Sequence, residues 1–123
     1  MASRLSEIVI DSQDPRRLAE FWCAVLDLTV LDDEDGVIEI GPPEGFGGVQ
    51  PTIVFLPVGG PKTSKLRLHF DINPTDRDQA AELERLLALG ARPVDIGQPA
   101  DAHWHVLADP EGNEFCLLRT RLA

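Results

Sequence analysis

The chain has 123 residues, is 43% hydrophobic and 26% charged, and carries a formal net charge of −10. This suits one domain that buries about two-thirds of its unfolded surface, with the composition of an ordinary globular protein. The acidity argues against nucleic acid and anionic membranes, both met through Lys and Arg; no apolar run nears the roughly 18 residues of a membrane span, and no leader is visible, so a cytoplasmic location is expected.

The segment Glu7-Ile8-Val9-Ile10-Asp11-Ser12 alternates and is β-branched, which predicts a strand. Asp14-Pro15 suits a helix start, with Asp14 as N-cap and Pro15 at the first helical position. Leu18, Phe21, Trp22, Val25 and Leu26 then recur at helical spacing and form one apolar stripe. Strands are predicted at Thr29–Leu31, Val37–Ile40 and Thr52–Val58, with Asp35-Gly36 as a hairpin turn. Gly41–Gly48 can be neither helix nor central strand and reads as a mobile, lid-like loop.

After a Gly59–Lys65 connector the order repeats. Leu66–Ile72 alternates as a strand, and Asn73-Pro74-Thr75-Asp76 opens a second helix with Asp76 and Gln79 at capping-box spacing. Ala80, Leu83, Leu86 and Leu87 carry its stripe, and Gly90 suits its stop. Strands follow at Arg92–Ile96, His103–Ala108 and Glu114–Arg119, the last two joined by the turn Asp109-Pro110-Glu111-Gly112-Asn113. The expected fold is therefore α+β: a single domain of two tandem β-α-β-β-β modules, about 5–58 and 65–119. Each module buries one face of its sheet, and a second copy offers a partner surface.

Period two places Ile8, Ile10, Leu68, Phe70 and Ile72 beneath the helices. Glu7, Val9 and Asp11 then share the opposite face of one module, and Arg67, His69 and Asp71 that of the other. Charged groups on central strands need water, a partner or a cavity, and a polar-lined cleft is the reading preferred over plain exposure. Cys23 and Cys116 lack metal-binding or redox spacing and read as buried thiols. His103 and His105 flank Trp104 and so share the strand face opposite to it, where a metal would lack further ligands; Trp104 offers a flat apolar wall for an aromatic ligand.

Asp14-Pro15-x-x-Leu18-Ala19-x-Phe21-Trp22 resembles the opening of vicinal-oxygen-chelate proteins, the superfamily of glyoxalase I, extradiol dioxygenases and bleomycin-resistance proteins. Arg67-Leu68-His69-Phe70-Asp71, Leu89-Gly90-Ala91 and Asp109-Pro110-Glu111-Gly112-Asn113-Glu114-Phe115 resemble its glyoxalase-like branch. The resemblance implies a curved eight-stranded mixed sheet around a cleft, a homodimer, and in the metalloenzymes four ligands around one divalent ion. Carried over, those ligand positions are Glu7, a residue of Thr52–Val58, Arg67 and Cys116. Thr52–Val58 holds no carboxylate, imidazole or amide, and a guanidinium cannot ligate, so no metal or other cofactor is expected at the inherited site. A relocated set of Glu7, His69 and Asp71 stays open as an alternative.

The leading expectation is a protein that binds a small organic ligand, anionic or aromatic, through Glu7, Arg67, His69, Asp71, Trp104 and Cys116. The alternative is a lyase, isomerase or dioxygenase of the superfamily, with Glu7 or His69 as the acid–base group. A third is a structural or regulatory partner whose cleft is vestigial.

Overall fold

The structure is a computed structural model that describes residues 2–123. In chain order its elements are β1 (Glu7–Asp11), α1 (Pro15–Leu26), β2 (Thr29–Glu34), β3 (Val37–Gly41) and β4 (Thr52–Leu56), then β5 (Phe70–Ile72), α2 (Gln79–Leu89), β6 (Arg92–Pro93), β7 (His105–Ala108) and β8 (Glu114–Leu117). The β-α-β-β-β plan thus occurs twice, in two compact units that meet in sequence between Pro61 and Lys62. The eight strands of the expected curved sheet are hydrogen-bonded as two sheets of four, β1-β4-β3-β2 and β5-β8-β7-β6. In each, the first strand runs parallel to the last, because the helical crossover returns the chain to the same end, and the other pairs are antiparallel. Among the described residues, no helix is long and apolar enough to cross a membrane.

The first unit follows its sequence pattern closely. The Asp14 carboxylate accepts the Arg17 N–H at 3.2 Å, and Pro15 occupies the first helical turn. Leu18, Phe21, Trp22 and Val25 are all buried on one face of α1, above Ile38, Ile40, Ile53 and Phe55 of the sheet. Phe21 and Trp22 meet edge to face with ring centroids 5.2 Å apart. Each such side chain contributes about 1.5–3 kcal/mol of burial. The β2–β3 turn is two residues long, and both Asp35 (φ 56°) and Gly36 (φ 79°) have the left-handed backbone of a primed turn. Gly41 is a strand residue, not the start of the loop; a Cβ there would stand 2.8 Å from both Leu31 Cδ1 and Thr52 Cγ2, so glycine lets β2, β3 and β4 close up. The segment read as a mobile lid is tied down at its far end, where Arg4 Nη2 donates to the carbonyls of Gly47 and Gly48 at 2.8 and 2.7 Å.

The second unit departs further from its pattern: β6 stops at Pro93 instead of Ile96, β7 starts at His105 instead of His103, and β8 stops at Leu117 instead of Arg119. β5 begins at Phe70 instead of Leu66, because the chain bends at Arg67 and Leu68. There the Leu66 N–H donates to Glu114 Oε1 (3.1 Å) instead of a strand carbonyl, and Leu68, expected beneath the helix, is 86% exposed. The N-cap of α2 is Asp78, which accepts the Ala81 N–H at 2.9 Å; Asp76 is engaged by the neighbouring Arg77 guanidinium. The stripe of α2 is also thinner than its letters suggest. Only Leu86 and Glu82 are buried, Glu82 with its carboxylate 2.7 Å from Arg85 Nε, while Ala80 and Leu87 face outward. The Asp109–Asn113 turn forms as expected: the buried Asp109 carboxylate accepts the N–H groups of Glu111 and Asn113 and the Asn113 side-chain amide, and Gly112 takes φ 87°.

Candidate functional site

The parallel β5–β8 ladder sets the chemistry of the second unit. Its register places Phe70 beside Phe115, Asp71 beside Cys116 and Ile72 beside Leu117. Alternation turns Phe115 and Leu117 to the core and leaves Asp71 and Cys116 side by side on the other face. His69 reaches the same face, with its Nε2 3.1 Å from Asp71 Oδ1. One ligand-type atom from each of His69, Asp71 and Cys116 lies within 4.8 Å of the other two. The His69 and Asp71 side chains are 39% and 50% exposed, so the imidazole and carboxylate are open to solvent while Cys116 is buried behind them.

Burial pushes the Cys116 thiol up, and the adjacent Asp71 charge and its hydrogen bond push the same way; Lys65 opposes them without prevailing. The group is therefore a protonated thiol donating to Asp71, not an activated nucleophile. Two residues earlier on β8, Glu114 is buried and ion-paired with Lys62 Nζ at 2.7 Å. Burial alone would raise its carboxyl, but the hydrogen bonds from Lys62 and from the Leu66 N–H outweigh that and hold it below its ordinary value.

Of the residues singled out by sequence, His69, Asp71 and Cys116 come together. Arg67 lies on the bend that precedes them and is exposed. Glu7 belongs to the first unit, exposed on β1 beside Thr52. Trp104 does not join the group: with Leu83, Leu87, Pro93, His105 and Leu107 it borders a cavity of about 640 Å³ beside α2 that none of the three lines. His105 is exposed at the start of β7, and His103 Nδ1 lies 3.5 Å from Arg119 Nη1. Three polar partners escaped sequence reasoning: Lys62, Glu114 and Glu39, whose Oε2 accepts the Thr52 hydroxyl at 2.7 Å. For Glu39 a signal was present, since it alternates with the apolar Ile38 and Ile40.

The positions that the resemblance carries over as metal ligands are poor in donor side chains. The β4 side chains are Thr, Ile, Val, Phe and Leu, the Thr52 hydroxyl is committed to Glu39, and Arg67 is a permanent cation. Only Glu7 and Cys116 carry donors.

A family profile described as the glyoxalase-like domain matches residues 7–118. No curated protein sequence matches the chain. Among solved structures, the fosfomycin resistance protein FosX from Listeria monocytogenes, in complex with Mn(II) and sulfate, superposes with a TM-score of 0.73 at 16% identity, covering 99% of this chain and 94% of that one. A glyoxalase/bleomycin resistance protein/dioxygenase family enzyme from Burkholderia phytofirmans gives 0.67 at 18% identity over 94% and 97% of the two chains. The oxidase ChaP-H2 gives 0.67 at 18% identity over 98% and 97%. At these identities the likeness is one of fold, and the fold carries several chemistries. With the profile spanning nearly its whole length, the chain belongs to the glyoxalase-like domain family.

Proposed function

We propose that this protein binds a small organic molecule bearing an anionic group, without the four-ligand metal site that the family resemblance implies. The supporting observation is the grouping of His69, Asp71 and Cys116 on one solvent-open sheet face. Arg67, exposed on the adjoining bend, supplies the cation that meets a carboxylate or similar group, and His69 and Asp71 supply hydrogen bonds. Trp104, beside α2, is given no part in it.

A thermal-shift screen with small aromatic and aliphatic acids, run in excess chelator, tests the reading. A ligand at a hundred times its dissociation constant stabilises the fold by about 2.7 kcal/mol, a shift of several degrees. Arg67→Ala is expected to abolish that shift. A shift that survives unchanged in Arg67→Ala, or no shift with any acid, contradicts the proposal.

The His69–Asp71 pair favours a second, enzymatic reading, because a carboxylate that orients an imidazole prepares it for proton transfer. Conversion of the bound compound that disappears in His69→Gln, with the thermal shift retained, would establish catalysis.

A further inference from the structure

We propose that His69, Asp71 and Cys116 form a three-ligand site for a thiophilic divalent cation of the zinc type, built entirely within the second unit. The donors are one imidazole nitrogen, one carboxylate oxygen and one sulfur, all within 4.8 Å of each other. A tetrahedral zinc centre, with bonds of about 2.0–2.3 Å, holds its donors roughly 3.3–3.8 Å apart, so the group needs to contract by about 1 Å. Two of the three sit on rigid backbone: Asp71 and Cys116 are partners in the β5–β8 ladder, which fixes their separation without a loop. His69, just outside the strand, is the adjustable arm, already 3.1 Å from Asp71.

The donor chemistry selects the metal. Sulfur and imidazole nitrogen exclude calcium and magnesium, which take oxygen ligands, and favour zinc or its spectroscopic substitute cobalt. Binding replaces the Cys116 proton by the metal: the S–H bond breaks, a metal–sulfur bond forms, and the proton passes to buffer. The metal ion itself must draw the proton off, because burial and the Asp71 charge favour the thiol, and the exposed edges of His69 and Asp71 leave an entry path. Three protein ligands leave one position of the tetrahedron open, on the solvent side, for water or for an anionic group of a small molecule.

The site shares His69 and Asp71 with the ligand-binding face proposed above and rests on the same placement of side chains. Its test is independent of any organic ligand. The full chain is stripped with chelator, kept reduced, and titrated with Co(II) alone. One equivalent is expected to bind, with a thiolate-to-cobalt charge-transfer band in the near ultraviolet and the visible bands of a tetrahedral centre, all removed by one equivalent of zinc. Cys116→Ser is expected to lose the charge-transfer band while circular dichroism shows the fold intact. His69→Ala is expected to weaken binding at least about tenfold, and Cys23→Ser to leave the titration unchanged. Absence of the band, or a band that persists in Cys116→Ser, overturns the proposal. A positive cobalt titration with no acid-dependent thermal shift in chelator would retain the metal site and reject the metal-free binding reading.

Discussion

The two units follow one plan and use it differently. In the first, α1 sets four large apolar side chains into its sheet, Leu18, Phe21, Trp22 and Val25, and the non-core face carries the exposed Glu7 and Asp11 and the contact of Thr52 with Glu39. In the second, α2 buries only Leu86 and Glu82, a cavity opens beside it, and the sheet face opposite the core gathers an imidazole, a carboxylate and a thiol. A repeated plan lets one copy bury more apolar surface while the other carries more polar side chains, because packing and polar groups make opposing demands on the same positions.

That contrast can be broken by mutation. The largest effect is expected at Trp22, which is 1% exposed: Trp22→Ala should cost about 3–5 kcal/mol in chemical denaturation, through lost burial and the cavity left behind. Next is Lys62→Ala, which removes the partner of the buried Glu114 carboxylate; Leu66 N–H remains, so a loss of about 1–3 kcal/mol is expected. Smallest is Leu87→Ala on α2, 38% exposed at the edge of the cavity, with an expected loss under about 1 kcal/mol. If Leu87→Ala destabilises as much as Trp22→Ala, the two helices are equally anchored and the comparison fails.

Much of the fold was legible because local signals agreed with tertiary ones. Asp14-Pro15 opens a helix whose stripe fits one sheet, Asp35-Gly36 makes the turn that only small left-handed residues make well, and Asp109 closes its turn with three hydrogen bonds. The errors occur where a side-chain partner, distant or adjacent, overrides the pattern read from spacing. Leu66–Phe70 alternates like a strand, yet the Glu114 side chain takes the Leu66 N–H and the chain bends, leaving Leu68 in solvent. Asp76 and Asp78 both suit an N-cap, and Arg77 decides between them by engaging Asp76.

The site was half legible for a related reason. Period two puts His69 and Asp71 on one face from sequence alone. That Cys116 joins them depends on the β5–β8 register, a non-local pairing 45 positions apart that no spacing rule encodes. Trp104 precedes β7, which begins at His105, and outside the ladder alternation no longer dictates which way a side chain turns.

The central claim is that the reactive face belongs to the second unit. It is tested most directly by following backbone amide resonances while a small acid that raises the melting temperature is titrated in. The account predicts that the largest shifts fall on Arg67, His69, Asp71 and Cys116, with β1 and α1 little changed. Shifts concentrated on the Trp104 cavity, or spread over the first unit with those four residues silent, would contradict it.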